Sequence, residues 1–214
     1  MKLTTLIKEY IKAGDFFAPD YERDNKVLNR FKQDSPELSS PETKELIRIL
    51  KKSKDWPSKF FVADLLYLYD SFDIELLDPL LENAILYPDA GFNRIFLRPG
   101  LKIFGTELIS ERLAQKFVEA DIIRKIRISS LVYWIEKEDN SQVQKLEDAI
   151  VKQAKKTDNI IELYYYNRYF PDKVGIEQRI PNNANELIEV INGNSELEEI
   201  LYNGLGWTKP NTTS

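Results

Sequence analysis

The sequence predicts an all-α protein whose helices form consecutive hairpins. Apolar residues recur at spacings of three and four along nearly the whole chain, which is typical of helices with one buried face. No run of residues alternates strictly between polar and apolar side chains, so no strand is predicted. Proline and capping residues interrupt the pattern and separate one helix from the next. A chain of 214 residues accommodates one domain or two small ones, at roughly 100 to 200 residues each.

The helices of the first half are expected to start where a capping side chain or a turn precedes a proline. A hydroxyl or carboxylate at the cap accepts a free backbone N–H, and proline in the first turn lacks an N–H that would have no partner. Such signatures occur at Ser40-Pro41, Trp56-Pro57 and Asp78-Pro79. We expect the second of these helices to end near Ser71 and the third to be closed by Pro88 and Gly91.

Capping residues and glycines delimit the helices of the second half. We expect a helix over 93–104 that Gly105 ends, a helix over 108–118 capped by Thr106, and a helix over 122–135 capped by Asp121. Ser141 and Asp158 are expected to cap the next two, the second reaching about Tyr169. Residues 170–175 are predicted to form a loop, followed by two short helices around 187–191 and 197–201.

A spacing between basic residues indicates an internal repeat. Lys59, Arg94 and Arg127 lie near the start of the second helix of successive hairpins, 35 and 33 residues apart. Each is followed by small or aliphatic residues and a leucine, and this pattern resembles HEAT-like repeats. The spacing is shorter than the roughly 40 to 47 residues usual for that class, and Pro99 is expected to kink its helix. An irregular helical bundle remains the alternative.

The resemblance implies a right-handed α-solenoid of about four helical hairpins with capping helices at both ends, because hairpins that recur at a fixed spacing bury their faces by stacking. We divide the single predicted domain into an N-terminal helical cap over 1–40, HEAT-like repeats over 41–170, an acidic C-terminal cap over 171–206 and a loose tail over 207–214.

The composition excludes much of enzyme chemistry. The chain contains no Cys and no His, which removes disulfides, thiol nucleophiles and imidazole acids or bases. We predict no catalytic residue, no cofactor and no metal site. The first nine residues carry charges that a secretory signal would not tolerate, and no apolar stretch approaches the roughly 20 residues that span a bilayer. We therefore expect a cytoplasmic protein without membrane contact.

An acidic block follows a basic segment of the chain. From residue 60 to residue 93 no Lys or Arg opposes the acidic residues Asp64, Asp70, Asp73, Glu75, Asp78, Glu82 and Asp89. Helical spacing places Phe60, Asp64 and Tyr67 on one stripe, and aromatic side chains beside carboxylates suit a protein interface. We predict that Phe60, Asp64, Tyr67 and Asp70 bind a basic protein. The alternative is that Phe60 and Tyr67 pack on the neighbouring repeat.

A basic stripe supports the runner-up function. Arg94, Arg98 and Lys102 lie four residues apart, and Arg127 continues the same kind of face. These side chains could meet phosphates, an acidic partner or the acids of the adjacent hairpin, and the last is favoured. Some bacterial HEAT-like proteins hold DNA during base excision with basic and aromatic residues on a concave face. A net charge of −5 and the acidic block argue against nucleic acid as the ligand.

The densest aromatic cluster is the run from Tyr164 to Tyr166 with Tyr169. Consecutive residues of a helix cannot all face one core, so we predict that Tyr165, Tyr166 and Tyr169 form a contact surface. The alternative is that the C-terminal helices and Trp207 cover them.

These observations predict a non-enzymatic protein-interaction module that binds a basic protein, such as an inhibitor or an immunity-type protein. A nucleic-acid-binding HEAT-like protein is the first alternative, and a hydrolase that depends on a carboxylate pair is the second. The sequence makes no prediction of the oligomeric state.

Overall fold

Helices dominate the computed structural model, which describes residues 3–14, 26–135, 141–174 and 180–209. Over these ranges the chain forms helices, turns and bends and contains no strand. The all-α prediction is confirmed. The helices pack against one another, which is compatible with a helical repeat.

The chain divides into two compact units. The N-terminal unit comprises Met1–Tyr87 and Gly91–Gly105, and the C-terminal unit comprises Pro88–Ala90 and Thr106–Ser214. The main boundary therefore falls inside the stretch predicted to hold the repeats, while the predicted division at residues 40, 170 and 206 stays a prediction.

Gly105 marks this boundary by interrupting the helix Arg94–Glu119. Its φ of 75° and ψ of 171° are not helical, and a positive φ is available to glycine because it lacks a Cβ. The prediction that one helix ends at Gly105 and another follows is confirmed. Pro99 lies inside the helix, and the break occurs at Gly105 and not at Pro99.

The N-terminal unit is built around one helix that is buried on nearly all sides. Its helices are α1 (Leu3–Ala13), α2 (Lys26–Asp34), α3 (Ser40–Lys52), α4 (Trp56–Tyr67), α5 (Leu77–Leu86) and the part of α6 (Arg94–Glu119) that precedes Gly105. Helix α4 packs against α1, α2 and α3, and its residues from Phe60 to Leu66 are buried. Seven consecutive residues of α4 are buried, which is two turns of helix, so α4 lacks the single polar face of a surface helix.

Local capping explains where the helices of this unit begin. Helix α4 starts after Asp55, whose carboxylate accepts the Ser58 N–H at 2.9 Å, and the predicted start at Pro57 is confirmed within one residue. Ser39, not Ser40, precedes α3 as its cap. The predicted cap at Asp78 is wrong, because α5 already begins at Leu77 and Asp78 lies inside it.

The C-terminal unit has its core around helix α9, whose aromatic and aliphatic side chains are largely buried. Besides the rest of α6, its helices are α7 (Ile122–Leu131), α8 (Ser141–Ala154), α9 (Ile160–Tyr169), α10 (Pro171–Val174), α11 (Ala184–Ile191) and α12 (Ser195–Glu198), and a π-helical turn covers Glu199–Gly204. Helix α9 packs against α7, α8, α10 and α11. The core includes Ile126, Ile161 and Leu187.

Two local predictions for this unit are wrong. Asn159 caps α9 in place of Asp158, since its side-chain oxygen accepts the N–H groups of Ile161 and Glu162 at 3.0 and 3.2 Å. Helix α10 lies within the segment that was expected to be a loop. The cap predicted at Asp121 is confirmed, because its carboxylate accepts the Arg124 N–H at 2.8 Å.

Candidate acidic cleft

The candidate site is a cleft of about 620 Å³ in the N-terminal unit. Two segments line it: the connection from α2 into α3, and the loop that follows α4. Its charged lining consists of Glu37, Asp70, Asp73 and Lys32. We call this feature the acidic cleft, because three carboxylates face one ammonium group.

The connection between α2 and α3 is held in place by hydrogen bonds to one carboxylate. Both the N–H and the hydroxyl of Ser39 donate to Oε2 of Glu42, at 2.8 and 2.6 Å, and the Ser35 hydroxyl donates to Oε1 at 3.0 Å. Partial burial raises the pKa of Glu42, but these hydrogen bonds outweigh it and leave the pKa below its usual value. The wall that carries Glu37 is therefore a braced loop.

Two lysines fix the opposite wall at the end of α4, where the last carbonyl groups lack helical partners. Lys32 donates to the carbonyl of Leu68. Lys102 donates to the carbonyls of Tyr67 and Tyr69 at 3.1 and 2.8 Å. Positive charge at a helix C-terminus also favours the helix dipole.

Asp70 projects from this wall into solvent, and its side chain is 87% exposed. Lys102 donates to its Oδ1 at 3.2 Å, and Lys32 lies 3.8 Å from its Oδ2. The hydrogen bond from Lys102 and the two positive charges lower the pKa of Asp70. The carboxylate is therefore ionised at neutral pH, and its exposure leaves it accessible to a further cation.

Tyr69 joins the two walls beneath the cleft. Its side chain is almost fully buried, and its hydroxyl donates to the carbonyl of Ser35 at 2.6 Å. Burial raises the pKa of Tyr69 to about 12, with a smaller contribution from the negative charge of Glu42. This bond links the α4 loop directly to the connection between α2 and α3.

The far end of the cleft combines a carboxylate with apolar surface. Asp73 caps the 3₁₀ turn Ile74–Leu76 by accepting the Glu75 N–H at 2.9 Å, and it remains exposed. Phe72 packs edge-on against Phe104 with ring centres 5.2 Å apart. Ile74 follows Asp73 in the chain and is 44% exposed, but it is not among the residues that line the cleft.

The predicted stripe on α4 is only partly at the surface. Phe60 is 2% exposed, with its ring centre 5.2 Å from that of Tyr87 and 5.5 Å from that of Phe96. Asp64 is buried, and its carboxylate accepts the Tyr10 hydroxyl at 2.6 Å. The prediction that both are partner contacts is wrong, because the turns of α4 that carry them are covered.

Tyr67, the third member of that stripe, is 39% exposed. The guanidinium carbon of Arg98 lies 4.0 Å from the centre of its ring, a distance typical of a cation–π contact. Arg98 and Lys102, two members of the basic stripe, thus contact the end of α4 and the loop that follows it. The interpretation that the stripe meets adjacent acids is confirmed for Lys102. Arg94, its first member, is exposed at the start of α6.

The residues of the C-terminal unit that were predicted to bind a partner contribute to packing within that unit. Tyr166 is fully buried and donates to Glu162 at 2.8 Å, so its predicted exposure is wrong. Tyr165 is half-buried: it stacks on Tyr169, itself half-buried, and accepts the indole N–H of Trp207 at 2.8 Å. Trp207 is thus packed and not part of a loose tail.

Arg127 is half-buried and donates to the carbonyl of Gly204 at 2.8 Å. Burial lowers its pKa, partly offset by Asp121. This contact ties α7 to the π-helical turn, so Arg127 supports the core of the C-terminal unit and is not part of an open basic face.

Sequence reasoning missed the cleft residues Glu37 and Lys32, and it placed Asp73 in the acidic block without assigning it to the interface. A signal for Glu37 was present, since it lies in the run Ser35-Pro36-Glu37 between two helices, and loops positioned by rigid elements often carry function.

No protein-family model matches this chain, and no curated protein or solved structure shows a significant match to it. The HEAT-like resemblance therefore depends on the sequence pattern alone. Within the described ranges, no helix has both the length and the apolar content needed to cross a membrane. The same part of the chain holds no group of three or more acidic side chains that could bind a metal ion.

Proposed function

We propose that the protein is a non-enzymatic interaction module whose acidic cleft binds a basic segment of a partner protein. The observation that carries this proposal is the lining of the cleft, in which Glu37, Asp70 and Asp73 outnumber Lys32, while Lys102 pairs with Asp70 from outside the lining. Of the residues predicted from the sequence, Asp70 remains in the proposed interface. Glu37 and Asp73 take the place of Phe60 and Asp64, which are buried.

The chemistry of the lining favours a lysine or arginine side chain as the bound group. Carboxylates form charge-assisted hydrogen bonds with ammonium and guanidinium groups, and arginine can bind one carboxylate through two parallel bonds. The ring of Phe72 supplies apolar contact at the end of the cleft. Charge of one sign also accelerates encounter with an oppositely charged partner.

An ionised, exposed carboxylate suits cation binding better than hydrolysis. A general acid needs a raised carboxyl pKa near neutrality, whereas the pKa of Asp70 is lowered. The nucleic-acid alternative receives less support as well, because Lys102 and Arg127 bond to groups of their own units.

We further propose that the helical hairpins form a right-handed HEAT-like solenoid, and that the protein acts in the cytoplasm as an inhibitor or immunity-type protein. The spacing of Lys59, Arg94 and Arg127 supports the repeat, and the packing of α3 on α4 and of α8 on α9 supports helical hairpins as its unit. The excess of carboxylates in the cleft supports a basic target.

Affinity capture with matched charge variants tests the proposed function. Glu37→Lys combined with Asp73→Asn leaves one carboxylate against two ammonium groups in the cleft, and asparagine keeps a capping oxygen for the 3₁₀ turn. The control pair Glu107→Lys and Glu119→Gln makes the same change in net charge at exposed residues of the C-terminal unit.

We expect the wild type and the control to retain one basic protein from cell lysate at low salt and to release it as the salt rises. The cleft variant is expected to lose it while keeping its helical circular-dichroism spectrum. Equal capture by the cleft variant would refute the proposal, and recovery of nucleic acid in place of protein would favour the runner-up.

A further inference from the structure

A second concavity of the N-terminal unit is an apolar groove of about 340 Å³ between α1 and α3. Ile7 and Ile49 are buried beneath it, and Ile11 is 37% exposed at its side. The volume lies within the roughly 300 to 1,000 Å³ of ligand sites. The groove shares no lining residue with the acidic cleft.

The charged side chains that line the groove are mostly basic: Lys8 on α1, and Arg48 and Lys52 on α3, with Glu45 as the acid. Nε and Nη2 of Arg48 donate to the two oxygens of Glu45 at 2.7 and 2.6 Å. This two-point bond lowers the pKa of Glu45 and neutralises both charges locally.

The two lysines are left as the net charge of the groove. Lys8 and Lys52 are exposed, and neither forms an ion pair with the residues that the structure describes. One stands on each of the helices that flank the groove. The remaining polar lining consists of the hydroxyl groups of Thr4, Ser53 and Ser58, which carry no charge.

We propose that this groove binds a small aliphatic carboxylate. The aliphatic chain lies along Ile7, Ile11 and Ile49, and the carboxylate pairs with the ammonium groups of Lys8 and Lys52. Apolar lining with a few fixed polar groups is the usual composition of a small-molecule site: the lining gives affinity and the polar groups give orientation. The choice of an anion follows from the charge complementarity of the two lysines. The site is independent of the acidic cleft.

Isothermal titration calorimetry with three probes that share one alkyl chain tests the assignment. Decanoate is the anion, decanol is the neutral analogue and decyltrimethylammonium is the cation, all kept below the concentrations at which they form micelles. We expect saturable binding of one decanoate per chain, about tenfold weaker binding of decanol, and no saturable binding of the cation. Equal affinity for decanoate and decanol, or no saturable binding of decanoate, would overturn the proposal.

Matched lysine variants locate the carboxylate. Lys8→Gln with Lys52→Gln removes both proposed partners, and Lys12→Gln with Lys51→Gln removes two exposed lysines of the same helices that do not line the groove. We expect the first pair to weaken decanoate binding by about tenfold and the second pair to leave it unchanged. An equal loss in both pairs would show a general charge effect and overturn the assignment.

Ile11→Glu locates the alkyl chain. Ile11 is 37% exposed, so a charge at this position stays in contact with water, and a carboxylate at the side of the groove repels the carboxylate of the ligand. We expect decanoate binding to be lost while the melting temperature stays close to that of the wild type. Unchanged decanoate affinity in Ile11→Glu would place the ligand elsewhere and refute the proposal. The proposal would also be refuted if analytical ultracentrifugation showed a dimer that Ile11→Glu dissociates and decanoate does not. A second copy of the chain would then occupy the groove.

Discussion

The strongest single test of the fold is Phe60→Ala, because it separates a core role from the surface role that the sequence predicted. Phe60 is 2% exposed and its ring contacts the rings of Tyr87 and Phe96. Truncation of a buried phenylalanine to alanine costs about 3 to 5 kcal/mol. A domain with a total stability of about 5 to 15 kcal/mol would lose a large part of it.

Urea unfolding followed by far-ultraviolet circular dichroism measures this loss as a shift of the midpoint at constant slope. Two variants calibrate the result. Phe60→Leu keeps most of the volume and is expected to lose less than about 1.5 kcal/mol. Tyr67→Ala removes an exposed ring that contacts Arg98 and is expected to lose less than about 1 kcal/mol. If Phe60→Ala were no less stable than Tyr67→Ala, Phe60 would be a surface residue in solution and the packing of α4 described above would be wrong.

Three further predictions follow from close contacts and from pKa shifts. A Cβ added by Gly204→Ala would lie 2.4 Å from Cδ1 of Ile123, whose side chain must move; this should offset the gain of about 1 kcal/mol that alanine brings over glycine in a helix, so a rise of the melting temperature by that full amount would contradict the close approach. Asp55→Ala removes the cap of α4 and should cost about 1 kcal/mol at pH 7. Burial raises the pKa of Asp55, but hydrogen bonds from Ser53 and Ser58 outweigh it and leave the pKa lowered. The difference from wild type should therefore shrink as the pH falls through the acid range, and a constant difference would exclude this charge effect. The pKa of Tyr69 is raised to about 12, so stability should fall as the pH rises from 10 towards 12, and Tyr69→Phe should be less sensitive to that rise in alkaline denaturation.

The signals that predicted the helices are local in sequence. A cap such as Asp121 acts within three residues of itself, and Gly105 ends a helix through its own backbone dihedral angles. Such effects require no knowledge of the rest of the chain, so most helix boundaries could be predicted. The error at Asp78 arose because Asp73 had already started a 3₁₀ turn that leads into α5.

The orientation of side chains on a buried helix could not be predicted in this way. Buried apolar residues occur all round α4, and Phe60 and Tyr67 lie on the same stripe, so periodicity does not show that the stripe is covered at Phe60 and open at Tyr67. The tyrosines of α9 present the same difficulty. Tyr166 lies in the core, where its hydroxyl donates to the buried carboxylate of Glu162 one turn earlier. The sequence does not show that both side chains are buried, so this hydrogen bond could not be predicted.

The acidic cleft was partly visible in the sequence. Asp70 and Asp73 belong to the acidic block, whereas Glu37 and Lys32 come from a segment more than 30 residues earlier. Tertiary contacts bring the two segments together, above all the hydrogen bond from Tyr69 to the carbonyl of Ser35. A single sequence carries no direct signal for that pairing.

Zero-length crosslinking of the captured complex tests the central claim most directly. A carbodiimide joins carboxylates to lysine amines in contact with them, and mass spectrometry of the peptides identifies both residues. We predict that the partner's lysines are joined to Glu37, Asp70 or Asp73, and that the exposed Glu107 and Glu119 of the C-terminal unit remain unlinked. Crosslinks confined to those two residues, or a partner that binds without any link to the cleft, would contradict the account.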